Sequence, residues 1–172
     1  SAFIKSMRGS DPDASVYWLA KMLYAGEDPR FIVRRILILA SEDIGNADPQ
    51  ALILASAGLQ AIEFVGMPEA RIILSQLVTY MALAPKSNAS YLAIEEATKD
   101  VTKETAEEVP NHLRDKSYIG AKRMGHGEGY QYVHKFQDHY VKQKYVERKG
   151  TYYRPTAFGY EKIHQERLRE LR

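Results

Sequence analysis

The chain has 172 residues, no cysteine, 45% apolar and 27% charged residues, and a net charge of +2. Those proportions exclude a disordered, collagenous or disulfide-stapled chain, and the absence of thiols excludes Cys-ligated zinc and thiol redox chemistry. The longest charge-free stretches, 51–62 and 72–85, fall short of the ~18 apolar residues of a membrane span, so no membrane partner is expected.

At the front, Ser1-Ala-Phe-Ile-Lys5 shows neither an initiator Met nor a basic leader before a long apolar stretch, and the sequence reads as a fragment lacking what preceded it. Helix starts then follow at even intervals. Asp11-Pro12-Asp13, Asp28-Pro29, Asp48-Pro49 and Met67-Pro68-Glu69 place proline where a first helical residue tolerates it, and three of them supply a capping carboxylate. Gly26, Gly45 and Gly66 precede these starts, where a left-handed residue ends the previous helix. A fifth start follows Pro85, with Ser87 as its cap. The pattern predicts a five-helix up-and-down array. Its segments 31–40 and 51–65 are apolar nearly all round and are expected to be enclosed by neighbours. In the next segment, Ile72, Leu74, Leu77, Val78 and Met81 are expected to face inward.

The charge is unevenly divided. Residues 1–108 carry 10 Lys+Arg against 15 Asp+Glu, and residues 109–172 carry 14 against 7, together with all five His and eight of the twelve Tyr. The Gly-rich stretch 120–129 reads as a loop. Residues 130–146 interleave polar and aromatic residues without a helical period, which leaves an irregular arm or a short hairpin. Thr156 is placed to cap a last helix over 157–171, with Tyr160, Ile163 and Leu168 as its apolar side. The expected fold is therefore all-α, with five to seven helices and an irregular basic, aromatic C-terminal arm. Residues 1–108 form the helical core, and 109–172 form a Tyr/His-rich extension whose final helix packs on that core as one structural unit.

Chemistry is sparse. The nearest approach to a P-loop, Gly120-Ala-Lys-Arg-Met-Gly125-His126, has His where the phosphate-reaching lysine belongs, so no nucleotide cofactor is expected in this chain. A metal would have to be held by His126, His134 and His139 with Asp138 or Glu128. Their spacing matches no helix-borne ligand pair, and surface imidazoles are the expectation. The adjacent carboxylates Glu42-Asp43 and Glu95-Glu96 point about 100° apart on a helix and cannot share a proton. No catalytic residue is expected. Nucleic acid is the better partner: Lys122, Arg123, Lys135, Lys142, Lys144, Arg148 and Lys149 can neutralise phosphates, and Tyr130, Tyr132 and Tyr140 can stack on unpaired bases. The same rings could instead pin the arm to the core.

Several stretches carry a resemblance. Ser1-Ala-Phe-Ile-Lys-Ser-Met-Arg-Gly-Ser-Asp-Pro-Asp-Ala14, Tyr17-Trp18-Leu-Ala, Ala25-Gly-Glu-Asp-Pro29, Ala40-Ser-Glu-Asp-Ile-Gly45, Leu83-Ala-Pro-Lys-Ser-Asn88 and Val109-Pro-Asn-His-Leu-Arg114 stand in order along the chain. In these the sequence resembles the C-terminal region of the MgsA/RarA replication-associated recombination ATPases, relatives of the Werner-helicase-interacting ATPase. The resemblance implies a clamp-loader collar-like helical domain of an AAA+ ATPase. ATP and Mg would be bound in an N-terminal module outside this sequence. It also implies homotetramer assembly, cytoplasmic work at stalled forks on single-stranded or forked DNA, and contact with single-strand binding protein. Leu52, Leu59, Ile62, Phe64, Ile73 and Leu77 are the candidate subunit contacts. A single-strand DNA-binding module and a docking platform for a replication protein are the alternatives.

Overall fold

The computed structural model describes residues 1–103, 108–147 and 150–171. Among them are seven α-helices and no strand: α1 (Ala2–Arg8), α2 (Pro12–Tyr24), α3 (Pro29–Leu39), α4 (Gln50–Val65), α5 (Ala70–Leu83), α6 (Ala89–Lys103) and α7 (Glu161–Leu171). The chain divides into two compact units, one of residues 1–95 with 152–170 and one of residues 96–151.

Local chemistry sets the helix starts of the first unit. The Asp11 carboxylate accepts from the Ala14 N–H at 2.9 Å, Asp28 from Arg30 at 2.8 Å and Asp48 from Gln50 at 3.1 Å. Each satisfies a donor that the first helical turn leaves open. Pro12 and Pro29 occupy first helical positions, where a missing N–H costs nothing. The Ser87 Oγ accepts from the Ala89 N–H at 3.2 Å and opens α6. Helix α1 lies outside the five expected ones: it buries Phe3, Ile4 and Met7, and its seven residues are too short for proline punctuation to mark.

The centre of the unit is α5, which packs against α1, α2, α3 and α4. Its Leu74, Leu77, Val78 and Met81 are buried, each contributing about 1.5–3 kcal/mol by leaving water. Ile72, expected to face inward, is 61% exposed, because two residues before Leu74 on a helix is the opposite side. Neither the 31–40 nor the 51–65 segment is enclosed all round: Phe31 and Ile38 of α3 are exposed, and α4 leaves a whole face open. In α3, Ile32, Val33, Ile36 and Leu39 are buried. In α4 only the face of Ala51, Ala55, Gly58 and Ile62 is covered, while Leu52, Ile53, Phe64 and Val65 remain exposed. Small residues on the covered face let α4 approach α5 so closely that a Cβ on Gly58 would sit 2.3 Å from Leu77 Cδ1.

After α3 the chain makes one π-helical turn, Ala40–Ile44, and a 3₁₀ turn, Gly45–Ala47. Around these turns the C-terminal segment is tied down. The Ala47 carbonyl accepts from the Tyr160 N–H at 2.8 Å, and the Asp43 carbonyl accepts from the Ser87 N–H at 2.8 Å. The Arg8 guanidinium grips the Asp43 carboxylate through Nε at 2.5 Å and Nη2 at 3.1 Å. Helix α7 begins at Glu161 and not at the expected 157, because Thr156 directs its N–H (2.9 Å) and hydroxyl (2.6 Å) to the Glu161 carboxylate. Tyr160 and Ile163, expected on an apolar side, are half-exposed, and the residue α7 buries completely is Glu161.

The second unit holds the end of α6 and four 3₁₀ turns, at Asn111–Leu113, Ala121–Met124, Val133–Lys135 and Gln137–His139. No hairpin forms over 130–146: its Tyr and Lys residues are exposed, so no buried face exists to fix a strand register.

Candidate functional site

Two surfaces stand out, one in each unit. In the first, α3, α4 and the start of α6 line an apolar groove of about 550 Å³, walled by Leu37, Ile38, Leu52, Tyr91 and Ile94, with Glu42 at its polar edge. On α4 the apolar surface continues along Ile53, at 60% exposure, to Phe64, at 93%. Residues 53, 57, 60 and 64 fall on one helical face, so Ile53, Ala57 and Phe64 form a stripe interrupted only by Gln60. Of the six residues predicted for subunit contact, Leu52 and Phe64 are exposed on this surface. Leu59 and Ile73 are half-buried against the core, and Ile62 and Leu77 lie inside it. Ile53, Tyr91 and Ile94 belong to the same surface but were not singled out. Their signal was an apolar residue on the side of a helix opposite its small-residue face.

The second surface is the array of loops in unit two. Tyr130, Tyr132 and Tyr140 are each roughly half-exposed, and Arg123, Lys135, Lys142 and Lys144 are exposed. Lys144 pairs with Glu147, and its carbonyl accepts from His112 Nε2 at 2.6 Å. Arg148, Lys149 and the Lys122 side chain lie outside the described residues. Tyr130 and Tyr145 stand with His112, Asp115 and Lys116 around a pocket of about 380 Å³. Spacing alone gave no reason to join 112–116 to 130 and 145. The link is made by folding: Gly127 donates to the Asn111 carbonyl at 2.7 Å with the Lys116 side chain lying across its Cα.

The Gly-rich stretch does not fit a nucleotide phosphate. The His126, Gly127 and Glu128 N–H groups are already given to the carbonyls of Ala121, Asn111 and Gly125. The His126 ring is held by the Tyr118 hydroxyl at 2.6 Å and by Arg114 at 3.4 Å, so it cannot stand in for a phosphate-reaching lysine. Of the three imidazoles considered for a metal, His126 is therefore apart, whereas His134 and His139 are brought together, Nδ1 to Nδ1, at 2.9 Å. No group of three or more metal-ligating side chains occurs among the described residues.

The described residues form an all-helical bundle bearing an exposed apolar face. Residues 9–172 match the family described as MgsA AAA+ ATPase, C-terminal, and the chain belongs to that family. It is 50% identical, over its whole length, to an AAA domain-containing protein of Mycobacterium tuberculosis, of which it covers 39%. It is 43% identical over 92% of its length to replication-associated recombination protein A of Bacillus subtilis, covering 38% of that protein. Against the ATPase WRNIP1 of Dictyostelium discoideum it is 45% identical over 80% of its length, covering 16% of that relative. The chain thus spans at most about two fifths of these relatives.

Proposed function

We propose that this chain is the self-assembly region of an AAA+ ATPase acting in DNA replication and recombination. It would hold identical copies together, as a homotetramer, so that ATP-driven motion elsewhere works against a fixed helical collar. The observation that carries this reading is the apolar surface of α4, with Leu52, Ile53, Phe64 and Val65 exposed beside the α3/α6 groove. An exposed apolar run of this kind is costly unless a partner covers it, and a closed assembly covers the same patch on every copy. The relatives' names supply the setting: replication-associated recombination for one, ATPase for another. ATP and Mg would be held by another part of the protein, a reading supported by the Gly-rich loop here, whose His126, Gly127 and Glu128 N–H groups are already engaged. Work at replication forks would place the protein in the cytoplasm on the nucleoid, within reach of single-strand binding protein.

Sedimentation of the chain over a range of concentrations tests the assembly. A mass near four copies is expected, and a concentration-independent monomer at tens of micromolar overturns it.

A second reading is favoured by the second unit, where Tyr130, Tyr132 and Tyr140 are exposed among Arg123, Lys135 and Lys142. These can bind single-stranded DNA by stacking and phosphate neutralisation. Affinity for an unstructured oligonucleotide should then fall steeply with salt and weaken on replacing Lys142 and Lys144. No binding at low salt leaves assembly alone, and competition by an acidic peptide would mark the surface as a docking platform for a replication protein.

A further inference from the structure

The sequence sets His134 and His139 five residues apart, a spacing that a helix would not bring to one face. The turn between them does. Asp138 and His139 both adopt left-handed backbone angles (φ 57° and 51°), which reverse the chain and return the second imidazole to the first. The ring centroids lie 4.8 Å apart at 63°, and the Tyr132 ring packs on His134 at 5.1 Å.

The contact joins two like atoms. Two Nδ1 nitrogens at 2.9 Å can be neighbours only if one carries a proton that the other accepts, or if both lone pairs are directed at a shared cation. The distance fits an N–H···N hydrogen bond between neutral rings, and it also fits the second case. Metal–nitrogen bonds of about 2.0–2.1 Å set at a right angle place two nitrogens about 2.9 Å apart, while a tetrahedral angle would spread them to about 3.4 Å. Right-angled imidazole ligation belongs to tetragonal ions, Cu²⁺ and Ni²⁺, more than to Zn²⁺, and the order of intrinsic affinities runs the same way. Mg²⁺ and Ca²⁺, which take oxygen ligands, have no place here.

We propose that His134 and His139 form a two-imidazole chelate for a tetragonal divalent transition metal, Cu²⁺ before Ni²⁺, through their Nδ1 atoms. Binding requires the ring that donates Nδ1–H to move its proton to Nε2, so both imidazoles stay neutral and ligate. Water fills the remaining positions, because no third protein ligand converges on the pair among the described residues. The bound ion would close the 134–139 turn and add two positive charges beside Lys135.

Titration of the chelator-treated 172-residue chain with Cu²⁺ alone, followed by its visible absorption band and electron paramagnetic resonance, tests this. One equivalent should bind, with hyperfine structure from two nitrogens. His134→Ala and His139→Ala should each weaken binding by roughly tenfold or more. His126→Ala should leave it unchanged, and Mg²⁺ in place of Cu²⁺ should not bind. Equal Cu²⁺ affinity in wild type and both pair variants, or a tighter fit to Zn²⁺ than to Ni²⁺, overturns the proposal. Circular dichroism of each variant, expected to match the wild type because both side chains are exposed, separates loss of the ligand from loss of the fold.

Discussion

Glu161 and Ser87, 74 residues apart in the chain, meet at 2.5 Å through a hydroxyl donated to a fully buried carboxylate. The same carboxylate accepts from the Thr156 N–H and hydroxyl and, at 2.9 Å, from the Tyr153 hydroxyl. Tyr153 in turn accepts from Asn46 Nδ2 at 3.2 Å. One side chain therefore gathers the 3₁₀ turn, the cap of α6 and the start of α7. Glu161→Ala leaves these buried donors unpaired and is expected to cost about 3 kcal/mol in urea unfolding. A change below 1 kcal/mol would show that the C-terminal segment contributes little to the fold.

The network also fixes a pH dependence. Burial by itself would raise the Glu161 carboxyl, but the hydrogen bonds from Ser87, Thr156 and Tyr153 outweigh it and hold the group below its ordinary 4.5. A carboxyl depressed in the folded state contributes stability that is fully present above the unfolded value and lost as pH falls through the folded one. Unfolding free energy should therefore decline below about pH 4.5 more steeply in wild type than in Glu161→Gln. Parallel curves for the two would contradict the assignment.

Two glycines should respond differently to the same added methyl group. At Gly159, whose φ is +53°, a Cβ would meet the Ala47 carbonyl oxygen at 2.1 Å, a backbone atom that cannot give way. At Gly58 the obstruction is the end of the Leu77 side chain, which can change rotamer. Gly159→Ala is expected to cost about 3 kcal/mol, and Gly58→Ala about 1 kcal/mol, in thermal unfolding. The reverse order would mean that α4 and α5 cannot separate to accommodate one methyl.

The Tyr80 hydroxyl donates to Asp48 at 2.6 Å, joining α5 to the start of α4. That hydrogen bond, reinforced by burial and by the Asp48 charge, pushes the phenol up to about 12 from 10.0. Its stabilisation is present below pH 10 and fades as pH rises toward 12. Tyr153 is also raised, by burial and by Glu161, so ultraviolet titration should show a late-ionising component of which the Tyr80 part moves back toward 10 in Asp48→Asn and is lost in Tyr80→Phe. An unchanged curve in Asp48→Asn would reject the pairing.

Because Ile53 and Phe64 stand free of the protomer's core, replacing both with Ser should alter its intrinsic stability by no more than about 0.5 kcal/mol each. The sedimentation mass should nevertheless fall toward that of one copy. Retention of the full assembly would move the subunit contact away from α4.

Most helix starts of the first unit were written in the sequence, though not α1, because capping carboxylates and first-turn prolines at 11–12, 28–29 and 48–49 act within a few residues of themselves. What the loops could not do was also legible: without a phosphate-reaching lysine, no fold makes Gly120–His126 a P-loop. Which faces stay open was decided only in three dimensions. Hydrophobicity all round α4 cannot distinguish a helix enclosed by neighbours from one covered on its small-residue side alone, so Ile62 and Phe64 read alike yet lie on opposite sides of the core boundary. The same holds for Glu161, which looks like a helix-surface charge until Ser87 and Tyr153 arrive from distant segments. It holds again for His134 and His139, joined by a turn whose left-handed residues follow no period.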